Sequence, residues 1–293
     1  MHCSGSRVLT VVVLLLATGT AFRSAPSNSG AAQLAAPSSL HSSIYPAPAA
    51  LQASSCGNHS RYSRFTSFRK SSFKIHYEEY LCANPAAPSI LLVPGFGVGT
   101  FHFSRQLEAL SDAFNVYSVD LFGQGQSWPE GPVLPEDALC FSVDLWRDQL
   151  EDFVCKVIQG PVHLMGNSLG GYLSASVASH RPDLVKSVTL LNAAPFWGFA
   201  APSSEPKCWP LSALALWNGT LPAPPGLLKF GGAYFDVMRR PSTVKAMLAG
   251  VYASADAFDE GLVNDIVASA SRPGGYDAFT SILYVYLYLK TPE

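Results

Sequence analysis

Acidic residues are missing from everything ahead of Glu78, although Arg7, Arg23, Arg61, Arg64, Arg69, Lys70 and Lys74 all fall in that stretch. Charge is scarce elsewhere too: 14% of the residues carry it, and the formal net charge is -2. No global basic field exists to attract nucleic acid. The six cysteines, Cys3, Cys56, Cys82, Cys140, Cys155 and Cys208, include no C-x-x-C pair, which excludes a zinc ribbon or a thioredoxin-type site. Buried thiols are the expected reading, with a disulfide or two as the alternative. The apolar run over residues 8–17 stops short of the roughly 20 residues that cross a bilayer. What remains is a chain of 293 residues, 48% hydrophobic. That is enough for one large α/β domain with an inserted subdomain.

The apolar run has the length of a signal-peptide core, and a membrane anchor is its competing reading. It is followed by Ala21-Phe22-Arg23-Ser24 and a tract of Ala, Ser and Pro without periodicity. An acid-free, Ser-rich, mildly basic leader has the composition of a transit peptide. Residues 1–60 are therefore expected to be a signal peptide plus a plastid-transit-like disordered leader, outside the fold. The secretory pathway is the second destination considered.

From residue 61 to residue 194 the texture is that of an α/β core. Phe65-Thr66-Ser67-Phe68 and Phe73-Lys74-Ile75-His76-Tyr77 alternate as half-buried strands do. Residues 89–93, 115–119, 161–165 and 184–191 are strands of the fully buried, parallel kind. Val143, Trp146, Leu150, Phe153, Val154 and Val157 recur at helical spacing. Strand and helix in alternation predict a doubly wound, mostly parallel sheet. Residues 195–275, rich in Pro, Trp, Phe, Gly and Ala, read as a helical cap over the carboxyl ends of the strands. Trp197, Phe199, Trp209, Trp217, Phe230, Tyr234 and Phe235 would line a slot for a hydrocarbon chain or form the cap's own core. The core reading leads for most of them.

Gly166-Asn167-Ser168-Leu169-Gly170-Gly171 follows a buried strand and opens a helix. G-x-S-x-G in that setting is a nucleophile elbow, with Ser168 projected above the sheet. The Leu169 amide at the helix start would be one oxyanion donor. Pro94-Gly95-Phe96-Gly97-Val98-Gly99 ends the strand expected beside the elbow strand, and the Phe96 amide would be the second donor. Gly95, Gly97, Gly166, Asn167 and Gly170 support these loops. No Lys-Ser/Thr pair follows the glycines, which excludes a P-loop. Asp120 opens Asp120-Leu121-Phe122-Gly123-Gln124-Gly125-Gln126-Ser127, where it is expected to brace the turn. His163 reads as a core residue, His180 as a helix-end residue, and His102 as a residue near the pocket. No metal or cofactor is expected.

These motifs, in this order, resemble the α/β-hydrolase superfamily. Four stretches further resemble the plant and algal pheophytinase group: residues 94–103, Phe141-Ser142-Val143-Asp144-Leu145-Trp146-Arg147-Asp148-Gln149, residues 166–172, and Leu190-Leu191-Asn192-Ala193-Ala194-Pro195-Phe196-Trp197-Gly198-Phe199. The likeness covers residues 89–199 and thins through the cap. It implies hydrolysis of an apolar ester, the phytyl ester of pheophytin, in the plastid and near the thylakoid membrane. A plastid lipase or thioesterase uses the same elbow, and a non-catalytic ligand-binding relative is the reading from another class. A serine site of this kind needs an acid and then a histidine after the serine. The last histidine is His180, and Asp256, Asp259, Asp265 and Asp277 match no family position. Residues 276–293 are expected to be a divergent tail on a truncated reading frame.

Overall fold

The structure is a computed structural model that describes residues 10–14, 60–194, 220–252, 254 and 258–287. A β-hairpin opens the core. β2 (Ser60–Phe68) and β3 (Lys70–Leu81) pair antiparallel. The chain then alternates through β4 (Ser89–Val93), a 3-10 turn (Thr100–Phe103) running into α1 (Ser104–Leu110), and β5 (Asn115–Val119). α2 (Val143–Phe153), β6 (Val162–Asn167), α3 (Leu169–His180) and β7 (Val185–Leu191) complete the core. β3 joins β5 antiparallel, while β5, β4, β6 and β7 are parallel to one another. The strands assigned from their apolar runs are therefore all present, and the architecture is the mixed, mostly parallel sheet expected.

Period-two burial sorts the sheet's side chains into two layers. Leu91 and Val93 of β4 point into the larger core with Leu164, Trp146, Phe153, Leu173 and Val177, so α2 and α3 cover that face. Ile90 and Leu92 point the other way, onto Phe103 and Leu107 of the α1 side. Continuous apolar sequence in β4 follows from burial on both faces. α2 is capped by Ser142, whose Oγ accepts from the Leu145 amide at 3.2 Å. The helical spacing predicted through Val157 changes character after Phe153: residues Val154–Ile158 form a π turn, closed by the Gln159 amide on the Val154 carbonyl.

Two segments differ from expectation. Thr10–Leu14 of the leader form a strand, β1, parallel to β7, so the sheet order is β1-β7-β6-β4-β5-β3-β2. Val11-Val12-Val13 are β-branched, which suits a sheet edge. The other leader residues through 59 lie outside the described residues. Gly275–Leu287, most of the expected tail, is a helix, α7. It joins α4 (Pro225–Met238), α5 (Pro241–Val251) and α6 (Glu260–Ala270) in the cap. Its Ala278 and Ile282 belong to the main core, and its Ser281 Oγ accepts from the Phe141 amide at 3.2 Å. Apolar spacing along one face explains the docking. Among the described residues no helix is long and apolar enough to cross a membrane.

Candidate active site

β6 ends in a turn so tight that only glycine fits at its flanks. A Cβ on Gly166 would fall inside the van der Waals shell of the Gly170 carbonyl, and one on Gly170 would press into the carbonyl of Val93. α3 thus starts against the ends of β4 and β6, nearer than a side chain allows. Between these glycines Ser168 has φ 51° and ψ −118°. Such a conformation costs a non-glycine residue about 1–3 kcal/mol and survives only where its surroundings impose it. They do so here. The Ser168 amide donates to the Leu191 carbonyl at 3.1 Å, and the Ser168 carbonyl accepts from Gly171, Tyr172 and Ala194 at 3.0, 3.3 and 2.9 Å. Asn167 Nδ2 donates to the same Leu191 carbonyl at 3.2 Å, tying the end of β6 to β7.

Ser168 is the N-cap of α3, yet its side chain makes no capping hydrogen bond. The Leu169 amide is the first of the helix and has no partner within it. Amide hydrogens and the positive end of the helix dipole therefore converge beside the hydroxyl. The loop after β4 lies against the same serine: a Cβ on Gly95 would stand 3.4 Å from Ser168 Cβ and 3.2 Å from Asn167 Oδ1. Gly97 takes φ 76° and donates its amide to Gln124 Oε1. That bond fixes the Gln124 amide's orientation and leaves its Nε2 buried without a partner. Phe96 sits between the residue that touches the serine and the residue that is held, with its ring half exposed.

Asp120 braces the neighbouring turn. It is 1% exposed; Oδ1 accepts from the Thr100 amide at 2.6 Å, and Oδ2 accepts from the Gln126 amide at 2.7 Å. His76 Nδ1 completes the shell at 2.8 Å from Oδ2. Sequence reading passed over His76, which looks like any inward residue of an alternating strand; its partner stands 44 residues away.

The four described histidines are engaged away from Ser168. His163, half buried in β6, meets Ser187 Oγ at 2.7 Å, and burial, then the charge of Lys186, lowers its pKa. His180 is exposed at the end of α3 and bonds Glu151 at 2.8 Å. His102 Nε2 meets the Tyr252 hydroxyl at 2.8 Å, joining the 3-10 turn to the end of α5. Burial pushes the His102 pKa down, and its Nδ1 is buried without a hydrogen-bond partner. Asp259 caps α6 through the Leu262 amide at 2.9 Å, and burial raises the Asp277 pKa. The carboxylate–histidine pairs found among the described residues are Asp120–His76 and Glu151–His180.

Of the cap aromatics, Phe235 is buried between Phe279, 4.6 Å between ring centres, and Tyr276 at 5.5 Å, while Tyr234 is half exposed against Phe279. These two pack α4 against α7. Trp197, Phe199, Trp209, Trp217 and the side chain of Phe230 lie outside the described residues, as does Asp256. Among the described residues no cluster of His, Cys, Asp and Glu is arranged to hold a metal ion.

A family model described as alpha/beta hydrolase fold matches residues 88–215. Chloroplastic pheophytinase of Arabidopsis thaliana is 44% identical over 163 residues, which is 47% of this chain and 34% of that protein. The (lyso)-N-acylphosphatidylethanolamine lipase of Bos taurus is 26% identical over 217 residues, 69% of this chain and 58% of the lipase. The chain thus spans between about a third and three fifths of these curated relatives. Among solved structures, the 2-hydroxy-6-oxo-6-phenylhexa-2,4-dienoate hydrolase of Rhodococcus sp. strain RHA1 superposes with a TM-score of 0.53 at 18% identity, over 77% of this chain and 73% of that one. At that identity the shared property is the fold.

Proposed function

We propose that this chain, whose residues 88–215 match the alpha/beta hydrolase fold family, is an α/β-hydrolase and carries the nucleophile half of a serine carboxylic-ester hydrolase acting on a long-chain apolar ester, the phytyl ester of pheophytin. The observation that carries the reading is Ser168 itself: a non-glycine residue at φ 51°, uncapping, at the N-terminus of α3. Ser168 Oγ attacks the ester carbonyl carbon. The carbonyl oxygen becomes an oxyanion between the amides of Phe96 and Leu169, where fixed dipoles act without reorganising. The alcohol leaves, and water releases the acid from the acyl-serine. In this fold a histidine oriented by an acid, both following the serine in chain order, would take the serine's proton and hand it to the leaving alcohol; this sequence has no histidine after His180, so Ser168 here is a weak nucleophile. The 44% identity to a chloroplastic pheophytinase supports the phytyl ester and a plastid location, and the acid-free leader agrees with both.

The test is incubation of the chain and of its Ser168→Ala variant with pheophytin, following free phytol and the dephytylated acid by chromatography. A fluorophosphonate, which traps activated serines, is applied in parallel. Slow phytol release and slow labelling of Ser168, both lost in the variant, are the expected result, because without a histidine base only the oxyanion hole and binding contribute. Hydrolysis of a galactolipid or an N-acyl phospholipid in place of pheophytin moves the reading to a lipase. Pheophytin binding with neither turnover nor label moves it to a non-catalytic ligand-binding relative.

A further inference from the structure

We infer that His76 is a positioning residue for the oxyanion loop, acting through Asp120; the inference rests on the reading of Ser168, Phe96 and Leu169 given above. A carboxylate buried as deeply as Asp120 costs several kcal/mol unless hydrogen bonds replace its water. Its oxygens have three donors: two are amides of the loops at the serine's edge, Thr100 and Gln126, and the third is the His76 ring. The amides belong to glycine-rich turns that wrap the carboxylate closely. A Cβ on Gly99 would lie 2.6 Å from Asp120 Oδ1, and one on Gly125 would overlap the carboxyl group. The position of the carboxylate therefore sets the position of Thr100, and with Gln124 on Gly97 both ends of the segment that directly follows Phe96 are held.

The imidazole leaves the carboxylate little room to move. His76 is fully buried, its amide donates to Ser127 Oγ at 2.9 Å, and its carbonyl accepts from the Asp120 amide at 3.0 Å. Backbone and side chain thus bind the same two residues together. Asp120 Oδ2 needs a donor, so Nδ1 carries the hydrogen. On the far side, Nε2 meets Ser63 Oγ at 2.8 Å and the Gln126 amide nitrogen, a donor, at 3.3 Å, which makes Nε2 the acceptor. The result is a hydrogen-bonded line from the exposed edge strand β2 through β3 and the end of β5 to Thr100. It crosses three strands and ends at the loop that would bind the oxyanion. Removing the ring leaves a buried carboxylate short of a donor, free to tilt and to release the Thr100 amide.

His76→Leu removes the line, and His76→Gln restores a donor toward Asp120. Two measurements on the full chain separate the inference from the reading beneath it. The first is the fluorophosphonate labelling rate at Ser168. It is expected to fall at least tenfold in the leucine variant at unchanged apparent probe affinity, and to recover most of the way in the glutamine variant. The second is hydrogen exchange of the Gly97 and Thr100 amides, expected to quicken at least tenfold with leucine and return with glutamine. Ile75→Val, a core change on the same strand, serves as the control for lost stability alone. Wild-type labelling and exchange in a folded His76→Leu chain overturn the inference. If the unaltered chain takes no label at Ser168, the catalytic reading fails by itself, and unchanged amide exchange then overturns the positioning role as well. Should the leucine variant not fold, Ser63→Ala at the exposed end of the line gives the same two readouts, with an expected two- to threefold effect; no change in either counts against the inference.

Discussion

Around the elbow the chain is held by polar bonds and by glycines; between α4 and α7 it is held by rings. At the elbow the decisive contacts are backbone against backbone, Gly170 on the Val93 carbonyl and Gly166 on the Gly170 carbonyl, and buried polar atoms with assigned partners such as Asp120. In the cap, Phe235 stacks on Phe279 and meets Tyr276 edge-on, and the polar links from Asp236 to Arg239 and Tyr276 are partly exposed. Backbone contacts and buried charges tolerate shifts of only a few tenths of an ångström. Apolar contacts between helices tolerate repacking. The elbow is therefore expected to be the more rigid region, and the packing of α4 on α7 the more yielding one.

The largest effect expected from that difference comes from Gly170→Val. The added branched side chain has nowhere to go but the carbonyl of Val93, and the loss should be about 3 kcal/mol or more, enough to unfold much of the population at room temperature. Gly231→Val in α4 is the matched cap substitution. Its Cβ would meet the Thr280 side chain at 2.5 Å, a side-chain contact where Gly170 meets a backbone carbonyl. Denaturant melts of both should show the first far below the second. Equal losses would mean that the cap is as unyielding as the elbow.

Phe235→Ala comes next. Emptying a buried aromatic costs about 3 kcal/mol, but the cost should fall on the cap. Amide exchange in α4 and α7 should quicken, while the rate of labelling at Ser168 changes less than threefold. If labelling collapses together with the cap, the two regions form one cooperative unit.

The same difference decides what could be read from the letters alone. β4, β5 and β6 show as mostly apolar runs because burial on both faces favours apolar residues, and the elbow shows because tight turns demand glycine at fixed offsets. Asp120 was legible as a brace from its place in Asp120-Leu121-Phe122-Gly123-Gln124-Gly125. His76 was not, since its role comes from a partner far away in the chain, and a histidine in an alternating strand carries no mark of it. α7 was missed because its residues depart from the family pattern, although their apolar spacing suits a helix docked on the main core. β1 was missed because a run of valines and leucines serves equally as a targeting segment or a sheet edge. The aromatic residues of the cap revealed their number but not their direction, and Phe235 and Tyr234 turn toward α7.

Acid should loosen the seam between the two regions. His102 joins the 3-10 turn to Tyr252 of the cap, and burial holds its pKa below the ordinary 6.5. His163 in β6 shifts the same way. With the folded pKa depressed, the unfolded chain binds the additional protons, so stability rises with pH across the interval below about 6.5 and is lost as pH falls through it. Thermal melts from pH 7.5 to 5 should show a falling midpoint, with a shallower fall in His102→Gln. An unchanged slope in that variant would place the acid sensitivity in His163 instead.

The smallest expected effect sharpens the comparison most, because it applies one chemical change to both regions. Ser142 caps α2 in the core and Asp259 caps α6 in the cap, each through an oxygen that accepts the amide three residues on. Replacing either by alanine removes one such bond, worth about 1 kcal/mol. If the core melts as a unit, Ser142→Ala lowers the main transition and leaves its shape alone. Asp259→Ala should leave that midpoint in place and quicken exchange in α6 only, since a cap held by side-chain packing can fray without opening the sheet. A shared shift of the main transition in both variants would tie α6 to the elbow and remove the basis for treating the cap as the yielding half.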